Sequence, residues 1–289
     1  MTPFFKMHGL GNDFIVLDAR KPAKGIPDVI SKTAATALAD RHFGIGCDQI
    51  LVIRPSKTAD IFLQILNSDG SAAMACGNGT RCVADHIMQE FEQDRLAIET
   101  DAGILQSWRS VEYPNQISVD MGSAYLDWAA VPLANEANTL SVDLGPPAPV
   151  PAVCHSVGNP HAVLFVDDAE AIDLDNVGPP LEHHPLFPER ANISFAHQIG
   201  PNKFRMRVWE RGVGITSACG SGACAVGVAV HRSGRGSRNT EIIMDGGSVF
   251  IDWQDDGTVG GRVIMRGPVA YVFDGILSPN LNGLLRAGK

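Results

Sequence analysis

The chain has no apolar run of the roughly 18 to 20 residues that a membrane-spanning helix requires. Its opening, MTPFFKMHGL, does not place a basic head before an apolar core as a secretory signal does. A soluble, cytoplasmic protein without a membrane partner is the expectation. Basic charge is scarce as well: 23 Lys and Arg stand against 32 Asp and Glu, a formal net charge of −9. The basic residues are scattered, and Arg232, Arg235 and Arg238 make no long cluster. A phosphate-backbone footprint needs clustered Lys and Arg, so no nucleic-acid partner is expected. Cysteine is too sparse for a disulfide scaffold, with only Cys47, Cys76, Cys82, Cys154, Cys219 and Cys224 in 289 residues. Neither Gly-rich segment ends in the Gly-Lys-Ser/Thr of a phosphate-binding loop. Zinc is disfavoured too, because Cys76 and Cys82 would lie ~240° apart around a helix, and Cys219 and Cys224 ~140° apart. No metal and no cofactor is expected.

What is present is an ordinary globular composition, 45% hydrophobic and 19% charged, long enough for about two domains. An internal repeat supplies them. Gly11-Asn12-Asp13-Phe14 before Ile15-Val16-Leu17-Asp18 returns as Gly158-Asn159-Pro160-His161 before Ala162–Asp167, with 159 − 12 = 147. Ala75-Cys76-Gly77-Asn78-Gly79 returns as Ala218-Cys219-Gly220-Ser221-Gly222, with 219 − 76 = 143. Asp101-Ala102-Gly103 returns as Asp245-Gly246-Gly247, with 245 − 101 = 144. Three matches in one order at nearly one offset indicate two copies of one domain.

Both copies read alike. Strands are expected at 4–8, 61–66, 96–99, 104–110 and 117–121, and again at 153–157, 204–209, 241–244, 248–253 and 259–265, from β-branched and aromatic runs between turn residues. Helices are expected at 31–39, 80–91 and 222–230. The last is apolar on every side and is read as buried all round; the helix at 80–91 has Val83, Ile87, Met88 and Phe91 at helical spacing. The fold class is therefore α+β, with two pseudo-symmetric domains, each a curved sheet wrapped around a central helix. Periodicity lapses between Gly122 and Pro132, which places the domains at 1–122 and 123–274.

In each copy a cysteine stands directly before Gly-X-Gly and a helix, at the positive end of the helix dipole. The thiolate is expected to be favoured there and the thiol pKa to fall below that of an unstructured cysteine. Cys76 and Cys219 are the candidate reactive groups, and the glycines leave backbone N–H groups open to an anion such as a carboxylate. Two thiols on opposite sides of one carbon suit the inversion of a stereocentre. One removes the proton from one face, the other returns a proton to the opposite face, and N–H dipoles at the carboxylate stabilise the carbanion. The scheme needs no cofactor.

At these residues the chain closely resembles the diaminopimelate epimerase family. The resemblance rests on FFKMHGLGNDFIVLDA (4–19), ADRHFGIGCDQIL (39–51), NSDGSAAMACGNGTRC (67–82), VGNPHAVLFV (157–166), ERGVGITSACGSGACA (210–225) and the Val-Phe-Asp-Gly of 272–275. It implies a homodimeric isomerase of lysine and peptidoglycan-precursor synthesis that interconverts LL- and meso-diaminopimelate, with Cys76 and Cys219 as the two bases. It further implies His161 and Glu210 as residues that tune the thiols. Substrate contacts are implied at Asn12, Gln49, Asn67, Gly77, Asn78, Asn159, Asn192, Glu210, Arg211, Gly220 and Ser221. In chemical terms Arg211 can hold a carboxylate bidentately, and Asn and Gln amides serve both carboxylate and ammonium. The family fold also implies that the C-terminal segment 275–289 packs back on the first domain. Ala72 and Ala73, Ile215, Trp209 and Phe273 depart from residues frequent in the family, and none of them removes a candidate catalytic group.

Two other readings stay open at the level of sequence. A proline or hydroxyproline racemase shares the two-cysteine chemistry but has no distal amino-acid end for Arg211, Asn67 and Asn192 to bind. A thiol-redox protein would instead join Cys76 and Cys219 reversibly in a disulfide.

Overall fold

The computed structural model describes residues 2–21, 25–74 and 76–287, and it divides the chain into two units, one of 1–119 with 267–289 and the other of 120–266. The first opens on a hairpin of β1 (Pro3–Gly9) and β2 (Asn12–Asp18). Helix α1 (Lys32–Ala39), capped by Ser31, crosses to β3 (Gln49–Arg54), which lies parallel to β2. Strand β4 (Ile61–Asn67) runs antiparallel to β3, and the two-residue β5 (Ala72–Ala73) folds back on it. Helix α2 (Gly77–Phe91) then leads to β6 (Arg95–Thr100), parallel to β4, and β7 (Gly103–Arg109) and β8 (Gln116–Asp120) continue antiparallel.

The second unit repeats every one of these pairings. Strands β9 (Val153–Ser156) and β10 (Pro160–Phe165) are antiparallel. Helix α3 (Leu174–Glu182) crosses to β11 (Asn192–Gly200), parallel to β10, and β12 (Lys203–Glu210) turns back on β11. The short β13 (Gly214–Ile215) pairs with β12, and α4 (Gly220–Arg232) leads to β14 (Asn239–Met244), parallel to β12. Strands β15 (Gly247–Gln254) and β16 (Arg262–Pro268) follow antiparallel. Two parallel crossovers at the same places in both units amount to one topology used twice.

Each sheet wraps a central helix. Helix α2 touches β1, β2, β3, β6 and β7, and α4 touches β9, β10, β11, β12, β14 and β15. Glycine makes the second approach possible, because a Cβ on Gly227 of α4 would meet Ile251 Cγ2 of β15 at 2.6 Å. Residues 222–230 of α4 are all buried, so an all-apolar helix is what the site demands. Helix α2 is less one-sided than its spacing suggests: residues 77–84 are buried throughout, Arg81 included, and only its C-terminal end emerges.

The first unit alone carries an extra strand and helix. β17 (Ala270–Ile276) pairs antiparallel with β1, from Pro3 opposite Ile276 to His8 opposite Ala270. Helix α5 (Pro279–Arg286) follows, and Leu277 and Leu285 join Phe4, Ile15, Ala34, Leu38 and Ile50 in the core. The return therefore begins at Gly267, earlier than 275, because the strand before Leu277 already belongs to the β1 ladder.

Candidate active site

Both cysteines cap a helix. Cys76 is the extended residue before α2, and its Sγ accepts the Gly79 N–H at 3.4 Å; Cys219 stands likewise before α4, its Sγ accepting the Gly222 N–H at 3.4 Å. Glycine at the third helical position is a packing need as much as a conformational one. A Cβ there would lie 3.0 Å from Leu51 Cδ2 in the first unit and 2.7 Å from Met206 Cε in the second. No disulfide joins any of the six cysteines.

In the first unit the turn after β1 supplies Asn12, preceded by Gly11 at φ 81°, a left-handed angle that glycine takes without strain. Asn12 Oδ1 accepts from the Cys76 thiol at 3.8 Å and from Asn78 Nδ2 at 3.3 Å, while Asn12 Nδ2 donates to Asp48 at 2.9 Å. Gln49 and Asn67 face each other across β3 and β4, with Gln49 Nε2 donating to Asn67 Oδ1 at 2.9 Å and Asn67 Nδ2 to Ser71 Oγ at 3.0 Å. Arg81 Nη2 holds Asn78 Oδ1 at 2.9 Å.

In the second unit Gly158, at φ 99°, precedes Asn159 in the same way. Asn159 Oδ1 is 2.8 Å from His161 Nε2, and its Nδ2 donates to Ser221 Oγ at 3.4 Å. Ser221 Oγ lies in turn 3.7 Å from Cys219 Sγ. The ladder pairs His161 with Asn192, and Ile193 with Trp209, which brings Asn192 level with Glu210. Asn192 Nδ2 donates to the Pro160 carbonyl at 3.1 Å and its Oδ1 accepts the Arg211 N–H at 3.0 Å. The row His161, Asn192, Glu210 thus stands in the second sheet where Phe14, Gln49, Asn67 stand in the first.

Electrostatics separate the copies further, and they correct one expectation. Burial pushes the Cys219 thiol well above its ordinary value, and the nearby Glu210 carboxylate pushes it the same way. The Gly222 N–H and the Ser221 hydroxyl pull it down without offsetting these effects. The helix start still favours the thiolate, but desolvation of a buried sulfur opposes it, and Cys219 is buried. His161 is fully buried; burial, with Arg211 adding to it, brings its pKa down to about 3. The imidazole is therefore neutral near pH 7, and Nε2 is its donor to the Asn159 oxygen. Among the described residues its Nδ1 has no hydrogen-bond partner.

Several supporting residues were given no role by the sequence, although most of them lie in the family-like stretches. Thr216 Oγ1 donates a short hydrogen bond to Glu210. The buried carboxylate of Glu182, at the end of α3, accepts from Trp209 Nε1 at 2.7 Å and the Gly212 N–H at 2.8 Å, bracing the turn that holds Glu210 and Arg211. In the first unit Asp48 accepts from Arg41 at 2.7 Å and from the Asp13 N–H at 3.1 Å, and Arg41 also grips Asp13. Acids have no spacing that tells a brace from a surface charge, so only the fold shows these roles.

The family model described as diaminopimelate epimerase matches residues 4–126 and 153–272. A protein of that name from Acidiphilium cryptum is 51% identical over 276 residues, covering 95% of this chain and 96% of its own. One from Rhodospirillum centenum is 50% identical over 280 residues, covering 96% and 93%. Among solved structures, a probable proline racemase from Agrobacterium radiobacter K84 superimposes with a TM-score of 0.68 at 14% identity, covering 98% of this chain and 96% of its own. At that identity the likeness is one of fold.

Proposed function

The chain belongs to the diaminopimelate epimerase family and is an isomerase, and from that premise we propose that it interconverts LL- and meso-2,6-diaminopimelate by a two-base mechanism. One cysteine, as thiolate, takes the α-proton from one face of the stereocentre; the other, as thiol, gives a proton to the opposite face, so that each turnover exchanges their protonation states. The observation that carries this reading is the pair of equivalent caps, Cys76 at α2 and Cys219 at α4, each sulfur beside helix-start N–H groups. Those N–H groups, with Gly77-Asn78 and Gly220-Ser221, stabilise the carboxylate as charge develops on the α-carbon. Glu210 receives the proton when the Cys219 thiol ionises, and neutral His161 holds Asn159 in place. Arg211 takes the distal carboxylate, and Gln49, Asn67 and Asn192 complete recognition of the distal amino-acid end.

We also propose that the enzyme acts in the cytoplasm as a homodimer. Support for the dimer comes from β17, which exposes Tyr271, Val272, Phe273 and Ile276 along one short strand. Light scattering over a concentration series is expected to give twice the chain mass, and Phe273→Asp is expected to give the single-chain mass.

The decisive experiment follows the α-proton by NMR in D2O, with reduced protein, LL-diaminopimelate and no pyridoxal phosphate. Loss of the α-proton signal with formation of the meso isomer is expected in the wild type, and no epimerisation in Cys76→Ala or Cys219→Ala. Turnover in either single variant would exclude the two-base scheme. Exchange with proline in place of diaminopimelate would move the substrate to a cyclic amino acid.

A further inference from the structure

The two halves hold their equivalent asparagines in opposite senses. In the first, Asn12 Nδ2 faces the Asp48 carboxylate at 2.9 Å. A carboxylate only accepts hydrogen bonds, so just one end of the amide can face it, and the oxygen is left toward the Cys76 thiol at 3.8 Å and Asn78 Nδ2 at 3.3 Å. In the second half the neutral His161 donates to Asn159 Oδ1, and the NH2 end is left toward Ser221. The hydrogen bond between the asparagine and the second helical residue accordingly runs from Asn78 to Asn12 in one copy and from Asn159 to Ser221 in the other.

The geometry points to Asp48 as a positioning residue that fixes the Asn12 amide with its oxygen toward Cys76, so that the thiol form of Cys76 is favoured over the thiolate. This rests on the reading of Cys76 as one of the two acid/base groups. An acceptor beside an S–H stabilises the protonated form, whereas an N–H there stabilises the ion. Asp48 is itself held rigidly. Arg41 Nη2 binds it at 2.7 Å, its backbone N–H goes to Asp13 Oδ1 at 3.0 Å, and it accepts the Asp13 N–H in return. Asp13 is fixed by a bidentate contact from Arg41 and by Lys6 at 2.5 Å. The charged and titratable groups near Asn12 are then Lys6 and His8 of β1, Asp13 of β2, Arg41 and Asp48 in the segment between α1 and β3, and Arg81 of α2, bonded to Asn78.

The test reads the thiol and not the turnover, so it fails or succeeds separately from the epimerase reading. Alkylation of Cys76 in the full-length protein is followed against pH, with the modified peptide quantified by mass spectrometry. Asp48→Asn frees the Asn12 amide to turn, and Cys76 at neutral pH is expected to alkylate roughly tenfold faster than in the wild type, a titration midpoint about one pH unit lower. Loss of the Asp48 charge would act in the same direction, and a double-mutant cycle separates the two. In an Asn12→Ala background, Asp48→Asn is expected to change the rate less than about twofold if Asp48 works through the amide. An undiminished effect in that background overturns the proposal. Asn12→Ala alone gives a sign test that does not depend on Asp48→Asn folding. Removal of an acceptor speeds Cys76 alkylation, and slower alkylation would mean that the NH2 end had faced the sulfur.

Discussion

At the scale of single residues, His161 joins site chemistry to acid stability. Its pKa falls from 6.5 to about 3 on burial, with Arg211 contributing. The unfolded chain therefore binds a proton that the folded chain refuses across that interval. The stability tied to the neutral imidazole is complete above pH 6.5 and declines as pH falls toward 3, by about 1.4 kcal/mol per pH unit. Urea midpoints at pH 7, 5 and 4 are expected to fall less steeply for His161→Gln than for the wild type, and parallel declines would show that His161 does not couple to folding. Fully buried His155, whose pKa is also well below its ordinary value, contributes a similar slope in both proteins. Residues of this kind were legible to different degrees. Cys76 and Cys219 stand out in the sequence because they repeat in one context, and Asn12 and Asn159 because each follows a turn glycine. His161 and Glu210 are not repeated, since Phe14 and Asn67 occupy the matching places, and only family resemblance singled them out.

Among elements, the two cysteine-capped helices make a prediction of their own. Each sulfur accepts an N–H at the third helical position, so it holds the helix start as well as standing ready for chemistry. A serine oxygen can take that N–H and a methyl group cannot. Cys76→Ser is therefore expected to lose activity but keep most of its stability, while Cys76→Ala loses activity and ~1 kcal/mol besides. Thermal unfolding of the two variants decides this, and equal melting temperatures would mean that the cap carries no weight. Helices α2 and α4 were readable because one shows helical spacing and the other is apolar throughout. Helix α3 was not, because Pro179 and Pro180 lie within it and proline inside a helix removes a donor. The carbonyl of Pro179 is taken by the His183 N–H at 3.2 Å, which closes the helix just beyond the prolines. The two-residue β5 and β13 are too short to show any alternation.

For the whole molecule, duplication made the topology legible, since a repeated order of motifs implied a repeated order of strands. The added β17 and α5 have no counterpart in the second copy, and the repeat therefore gave no sign of where they belong. They complete the first unit through the β1 ladder and through Leu277 and Leu285. Removal of 267–289 is expected to leave 120–266 resistant to limited proteolysis while cuts accumulate within 1–119, as mapped by mass spectrometry. Equal resistance across both regions would show that β1 stands without its partner. The same arrangement sets a timetable for biosynthesis. Residues 120–266 form one uninterrupted stretch, so the second unit can close as soon as it leaves the ribosome. The first unit, most of it made earlier, waits for 267–289, which carry its last strand and helix. Until β17 arrives, β1 offers an unpaired edge, and the unit whose first strands precede the other unit is completed after it.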